Sequence, residues 1–211
     1  MPGRFHEESG IWIQAGNPFA GQPKPALFLD RDGVIVEETH YLSRAEDVVL
    51  IEGAGATIAE ANRRGVPVVV VTNQAGIGRG YYGWEAFEAV EEAVKRELER
   101  FDAKLNAVFA CGFYPEHPAR KPNPGMLLAA AQMLNLDLAR SWIVGDHSSD
   151  MEAGSNAGLA GGLHLLTGHG LAQRDAAIRQ RREGFELTLG ESIVDAAPIV
   201  EDLSAQFFVV E

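Results

Sequence analysis

Ala26-Leu27-Phe28-Leu29-Asp30-Arg31-Asp32-Gly33-Val34 runs four apolar residues into two carboxylates one residue apart, with a glycine next. A short apolar run ending on Gly reads as a fully buried parallel strand, which puts Asp30 and Asp32 at its C-terminal mouth. Open α/β sheets bind their ligands along that edge. Side chains at i and i+2 of an extended segment share a face, so both acids can meet one substrate from one side. One can attack while the other manages protons. Taken alone, the pair has a plain alternative: among 30 acidic residues an Asp-x-Asp in a solvated turn arises by chance.

Outward from this stretch the same pattern recurs. Residues 54–64 read as a helix stopped by Gly65, and Pro67-Val68-Val69-Val70-Val71-Thr72 as a second buried strand. Residues 84–101 carry Phe87, Val90, Val94 and Leu98 on one helical stripe. A third strand is expected at 107–111 and a helix at 126–134, after the turn Lys121-Pro122-Asn123-Pro124-Gly125. A fourth strand follows at 141–145, a short helix at 150–157 and a Gly-broken fifth strand at 160–166. Strands alternating with helices imply right-handed crossovers and an α/β fold with a mainly parallel sheet covered on both faces. Residues 1–25, rich in Gly and Pro, read as an N-terminal arm with one short strand around Ile11-Trp12-Ile13. Residues 26–211 read as one domain, its tail adding a strand near 185–189 and an apolar helix near 199–203 but no chemistry.

The balance of 18 basic and 30 acidic residues gives a formal charge of −12, which disfavours nucleic acid and anionic membrane surfaces as partners. An anionic substrate then needs local positive charge or a metal ion. The single cysteine, Cys111, excludes an internal disulfide and suggests a reducing compartment. No apolar run approaches the roughly 20 residues of a membrane span. The expected class is a cytoplasmic, monomeric enzyme or binding protein.

Four strand ends offer polar groups: Asp30 and Asp32, then Thr72 and Asn73, then Lys121 beyond the third strand, then Asp146 and Asp150. In a parallel sheet these ends share one edge, so the set can converge into a toolkit for phosphoryl transfer: a nucleophile, an acid/base, a cation and donors. Asp30-Arg31-Asp32-Gly33, the strand into Thr72-Asn73, Lys121-Pro122 and Gly145-Asp146-His147-Ser148-Ser149-Asp150 resemble, in order, the four motifs of the haloacid dehalogenase (HAD) superfamily, whose fold is Rossmann-like. Thr72-Asn73-Gln74-Ala75-Gly76-Ile77-Gly78-Arg79-Gly80 and Arg120-Lys121-Pro122-Asn123-Pro124-Gly125-Met126 are similar to the glycero-manno-heptose bisphosphate phosphatases, whose sister group is the histidinol-phosphate phosphatases.

The resemblance implies a magnesium-dependent phosphomonoesterase. Asp30 would be the nucleophile that forms an aspartyl-phosphate, and Asp32 the acid and then the base. Asp146, with the Asp30 carboxylate and the Asp32 carbonyl, would hold magnesium. Thr72 would donate to a phosphoryl oxygen, Asn73 hold substrate or water, and Lys121 supply a point charge. Asp150 reads either as a brace for the metal site or as a first-turn helix acid. The glycines at 76, 78 and 80 read as a flexible loop that lets Arg79 reach a second phosphate, or as a plain loop with a solvated arginine. Arg120, His40 and Tyr41 lie on loops expected to wall the substrate site, since the chain leaves no room for a large cap domain.

Two departures follow. The resembled groups usually carry a zinc loop of three cysteines and a histidine, of which only Cys111 and His117 remain, so no zinc is expected. His147 stands where the heptose group has a lysine, which predicts weaker action on doubly phosphorylated substrates. The substrate implied is a small phosphorylated metabolite, foremost heptose 1,7-bisphosphate losing its 7-phosphate, with histidinol phosphate as the alternative. A non-catalytic sugar-phosphate binder is the reading from another class.

Overall fold

Successive residues of a strand face opposite ways, and the central strands use this to feed two cores. Leu27, Leu29, Val68, Val70 and Val144 join one apolar cluster, while Phe28, Val69, Val71 and Ile143 join the other. Near-continuous apolar runs suit a parallel sheet buried on both faces. The computed structural model of the chain describes residues 3–207; residues 1, 2 and 208–211, the ends of the expected arm and domain, lie outside the described residues.

In chain order the elements are β1 (Arg4–His6), β2 (Ile11–Ala15), β3 (Leu27–Leu29), α1 (Ala54–Arg63), β4 (Val68–Asn73), α2 (Ala75–Gly78), α3 (Trp84–Glu99), β5 (Ala107–Cys111), α4 (Gly125–Leu134), β6 (Trp142–Gly145), α5 (Ser148–Ala157), β7 (Gly161–His164), α6 (Gly170–Ile178), β8 (Glu186–Leu189) and α7 (Ala197–Ala205). The sheet order is β1-β2-β5-β4-β3-β6-β7-β8. Pairing is parallel from β5 through β8, as the alternation of strands and helices implied, and antiparallel at β1–β2 and β2–β5. α1, α3 and α7 supply the first core, and α4 and α5 the second.

The chain winds from β3 outward through β4 to β5, then returns to β6 on the other flank of β3. The β3/β6 boundary is therefore the topological switch point, where a crevice opens outside the strand ends. Asp30 and Asp146 follow these two strands directly. Between β3 and α1, and between β4 and β5, there is no inserted cap domain among the described residues.

Three sequence expectations are corrected. The arm holds two strands rather than the one expected around Ile11-Trp12-Ile13: β1 is added, and the expected strand, β2, joins the sheet and covers the edge of β5 with Ile11, Trp12 and Ile13 buried. The glycine loop after β4 begins with α2, a single helical turn, because the Arg79 and Gly80 N–H groups close back onto Ala75 and Ile77. The tail, expected to add one strand and one helix but no chemistry, also holds α6 and, before it, a loop that reaches the strand mouth.

Candidate active site

Asp30 leaves β3 with its N–H on the Val144 carbonyl at 3.0 Å, so the backbone is pinned to β6 where the acid emerges. The chain then turns sharply: Gly33 takes φ 78°, and the Arg31 carbonyl accepts from Ile35 at 2.9 Å and Val36 at 3.1 Å. A side chain at Gly33 or Gly168 would run into the Asp146 carboxylate, so these two glycines admit Asp146 between them.

Lys121 enters from the loop before α4. Its ammonium donates to the Val71 carbonyl at 2.7 Å and pairs with Asp30 Oδ2 at 3.1 Å and Asp150 Oδ1 at 2.6 Å. The Asp150 contact is a close ion pair rather than a well-directed hydrogen bond, since that oxygen has no hydrogen-bond partner. Burial works against the Lys121 charge, but Asp150 and Asp30 outweigh it and push the ammonium up to about 12. Asn73, expected to hold substrate or water, instead clasps the Lys121 backbone: its Oδ1 accepts from the N–H at 3.0 Å and its Nδ2 donates to the carbonyl at 2.9 Å.

Carboxylate oxygens of Asp30, Asp146 and Asp150 lie within 4.8 Å of one another. Burial pushes Asp30 up to about 7, with Lys121 opposing and Asp150 and Asp32 adding to it. Burial likewise pushes Asp146 up to about 8, reinforced by Asp30 and Asp150, even though Asp146 Oδ2 accepts from the His169 N–H at 2.6 Å. Crowded, partly desolvated carboxylates with only oxygen donors fit a hard divalent cation. The Asp32 carboxylate is not part of this group. It forks with Arg31, Nε to Oδ1 at 3.1 Å and Nη2 to Oδ2 at 2.9 Å, and Oδ2 also accepts from Gln74 Nε2 at 3.0 Å.

A cleft of about 540 Å³ covers these groups, lined by Asp30, Asp32, Thr72, Asn73, Lys121 and Asp146, and further out by Glu38, His40, Tyr41, Tyr82, Arg120, His147 and His169. His40 and Tyr41 sit at its mouth with φ 54° and 66°, a conformation that costs L-residues energy. Arg79 is not brought into the cleft; it is exposed, with its guanidinium 3.7 Å from the centre of the Tyr114 ring. Burial lowers the His147 pKa, and its Nδ1 accepts from the Ser149 N–H as the cap of α5. Asp150 closes the same capping box by accepting from the His147 N–H, besides pairing with Lys121. Cys111 is enclosed in β5, and the His117 ring stacks on Phe113 at 4.2 Å.

A family model described as HAD-hydrolase-like matches residues 118–185. A D-glycero-β-D-manno-heptose-1,7-bisphosphate 7-phosphatase from Mesorhizobium japonicum is 47% identical over 190 residues, 85% of this chain and 87% of the relative. The chain belongs to the heptose-bisphosphate phosphatase family of the HAD superfamily. It is a HAD-type phosphatase. Among solved structures, a HAD-like phosphatase from Mesorhizobium loti superposes with TM-score 0.82 at 39% identity, covering 95% of this chain and 96% of that one. A D,D-heptose 1,7-bisphosphate phosphatase from B. bronchiseptica, complexed with magnesium and phosphate, gives 0.74 at 28% identity, covering 86% and 99%.

Several groups of this HAD phosphatase site escaped the sequence reading. Arg31 and Gln74 are buried beside Asp32, and Arg31 Nη1 reaches Glu91 on α3 at 2.7 Å. A glutamate inside the apolar stripe of α3, four residues after Phe87, was a readable sign that a buried cation faces it. His169 had a weaker sign: it follows β7 between two glycines, on the same sheet edge as the acids.

Proposed function

We propose that this enzyme removes the 7-phosphate of a heptose 1,7-bisphosphate through covalent catalysis at Asp30. The observation that carries the mechanism is the placement of the Asp30 carboxylate at the β3/β6 switch point, 3.1 Å from Lys121 Nζ and within 4.8 Å of carboxylate oxygens of Asp146 and Asp150. The substrate assignment rests on the relative at 47% identity.

Asp30 attacks phosphorus while Asp32 gives its proton to the departing sugar oxygen. Asp32, now ionised, then takes a proton from the water that cleaves the aspartyl-phosphate, which restores Asp30. Lys121 and the Thr72 hydroxyl hold phosphoryl oxygens, and Lys121 keeps Asp30 ionised as the attacking group. Magnesium would be held by Asp30, Asp146 and the Asp32 carbonyl, and when bound it offsets the negative charge that the phosphate brings to this acidic cleft. Asp150 serves by fixing Lys121, and Asn73 by clasping the Lys121 backbone. Arg120, His40 and Tyr41 border the rest of the sugar phosphate, whereas Arg79 contributes only through its stack on Tyr114. Cys111, enclosed in β5, and His117, stacked on Phe113, are read as packing residues rather than metal ligands.

The test is phosphate release with magnesium across heptose bisphosphate, histidinol phosphate and common sugar phosphates, for wild type and Asp30→Asn. A preference for the heptose that disappears in Asp30→Asn is expected. A preference for histidinol phosphate would overturn the substrate, and full activity in Asp30→Asn would overturn the mechanism.

A further inference from the structure

Gln74 is 2% exposed, and its side-chain amide makes four hydrogen bonds. Its Nε2 donates to Asp32 Oδ2 at 3.0 Å and to Thr72 Oγ1 at 2.8 Å, while its Oε1 accepts from Arg31 Nη2 at 3.2 Å and from the Tyr82 hydroxyl at 2.6 Å. The orientation is forced. A guanidinium can only donate, and Asp32 Oδ2 can only accept when any proton sits on Oδ1, so flipping the amide would set donor against donor and acceptor against acceptor.

We infer that Gln74 is a positioning residue that aims the Asp32 carboxylate, an inference that rests on the acid–base role proposed for Asp32. The Arg31 fork alone holds Asp32 from one side. Gln74 adds a second contact on Oδ2 and ties it to Thr72, whose backbone is fixed inside β4. Oδ2 thus accepts two hydrogen bonds and Oδ1 one, which leaves the spare lone pair on Oδ1. Oδ1 is the oxygen that carries the proton. As the bond from Asp30 to phosphorus forms, the bond from phosphorus to the ester oxygen breaks with its electron pair, and the Oδ1 proton goes to that oxygen.

A positioning role for the acid has a signature that a structural role lacks, namely dependence on the leaving group. An alkoxide needs the proton, whereas a dinitrophenolate leaves without it. The experiment measures kcat/KM of Gln74→Leu, Asp32→Asn and wild type on dinitrophenyl phosphate and on the best primary-alcohol phosphate of the panel above. The parameter kcat/KM reports the steps through phosphoryl transfer to Asp30, before hydrolysis of the intermediate. Gln74→Leu is expected to lower the alkyl ester rate by about a hundredfold and the dinitrophenyl rate by no more than about threefold, the range of a lost general acid. Tyr82→Phe, which frees one end of the amide, is expected to show the same selectivity with a smaller loss. Equal losses on both substrates in Gln74→Leu, or no loss, would overturn the inference while a selective loss in Asp32→Asn leaves the acid–base reading standing. Equal losses in Asp32→Asn would overturn both. Should Gln74→Leu fail to fold, Gln74→Asn keeps an amide that is one carbon too short and carries the same expectations.

Discussion

Lys121 shows how one side chain can serve stability and chemistry together. It is almost fully buried between Asp30 and Asp150, the latter wholly enclosed. Replacing it with Met leaves two carboxylates facing each other without a cation, and a broken buried pair of this kind costs about 3–5 kcal/mol. Urea denaturation of Lys121→Met without metal should show that loss, together with near-complete loss of phosphate release. His147 presents the opposite balance. Its neutral imidazole caps α5, so His147→Lys is expected to raise turnover of doubly phosphorylated substrates while costing about 1 kcal/mol of stability through the lost cap. Unchanged kcat/KM for the bisphosphate in that variant would count against a charge deficit at this position.

At the scale of elements, α3 is fastened to the catalytic turn by a buried ion pair. Glu91 meets Arg31 at 2.7 Å, and burial pushes its carboxyl upward despite the guanidinium beside it. Glu91→Leu strands Arg31 with a single carboxylate partner and should destabilise the protein by about 3 kcal/mol or more. The double variant Arg31→Met with Glu91→Leu should recover much of that stability, yet stay poorly active because Asp32 loses its fork. Recovery of full activity in the double variant would argue against Arg31 as a support for Asp32. The N-terminal strands have an equally definite role. Ile11, Trp12 and Ile13 are buried on the edge of β5, each contributing about 1.5–3 kcal/mol, and β2 covers an otherwise open strand edge. Deletion of residues 1–15 should yield an aggregation-prone protein, read by size-exclusion chromatography and thermal unfolding.

Across the whole molecule, a chain of formal charge −12 gathers three carboxylates at its sheet switch point. Without metal, Asp30 is pushed up to about 7 and Asp146 to about 8, well above the ordinary carboxylate range. The folded state then holds protons that the unfolded chain has already released. The stability due to these two groups is fully present below about pH 4 and is lost as pH rises through 7 to 8. Magnesium competes with those protons, so its stabilising effect should be larger at pH 8 than at pH 6, reaching about 2.7 kcal/mol at a hundredfold excess over Kd. Scanning calorimetry with and without magnesium at both pH values checks this. A shift that does not depend on pH would mean that the cation does not displace protons from Asp30 and Asp146.

The sequence by itself determined the α/β class, the strands that carry Asp30, Thr72 and Asp146, and the turn that carries Lys121. Each rests on local pattern, since β-branched or apolar runs too short for helices, broken by Gly or Pro, leave few alternatives. It also placed these groups on one edge, because parallel strands share their C-terminal ends. Tertiary structure alone decided which of them touch. Nothing local to Arg31 or Glu91 says that residues 60 positions apart form one ion pair, or that Gln74 turns its amide to Asp32. It also decided that β2 joins β5, that Asn73 faces the Lys121 backbone and that Arg79 lies on Tyr114 outside the cleft. Buried polar groups take whatever partner the packing brings within reach, and strand order sets that packing. Local sequence pattern fixes the elements and leaves their neighbours open.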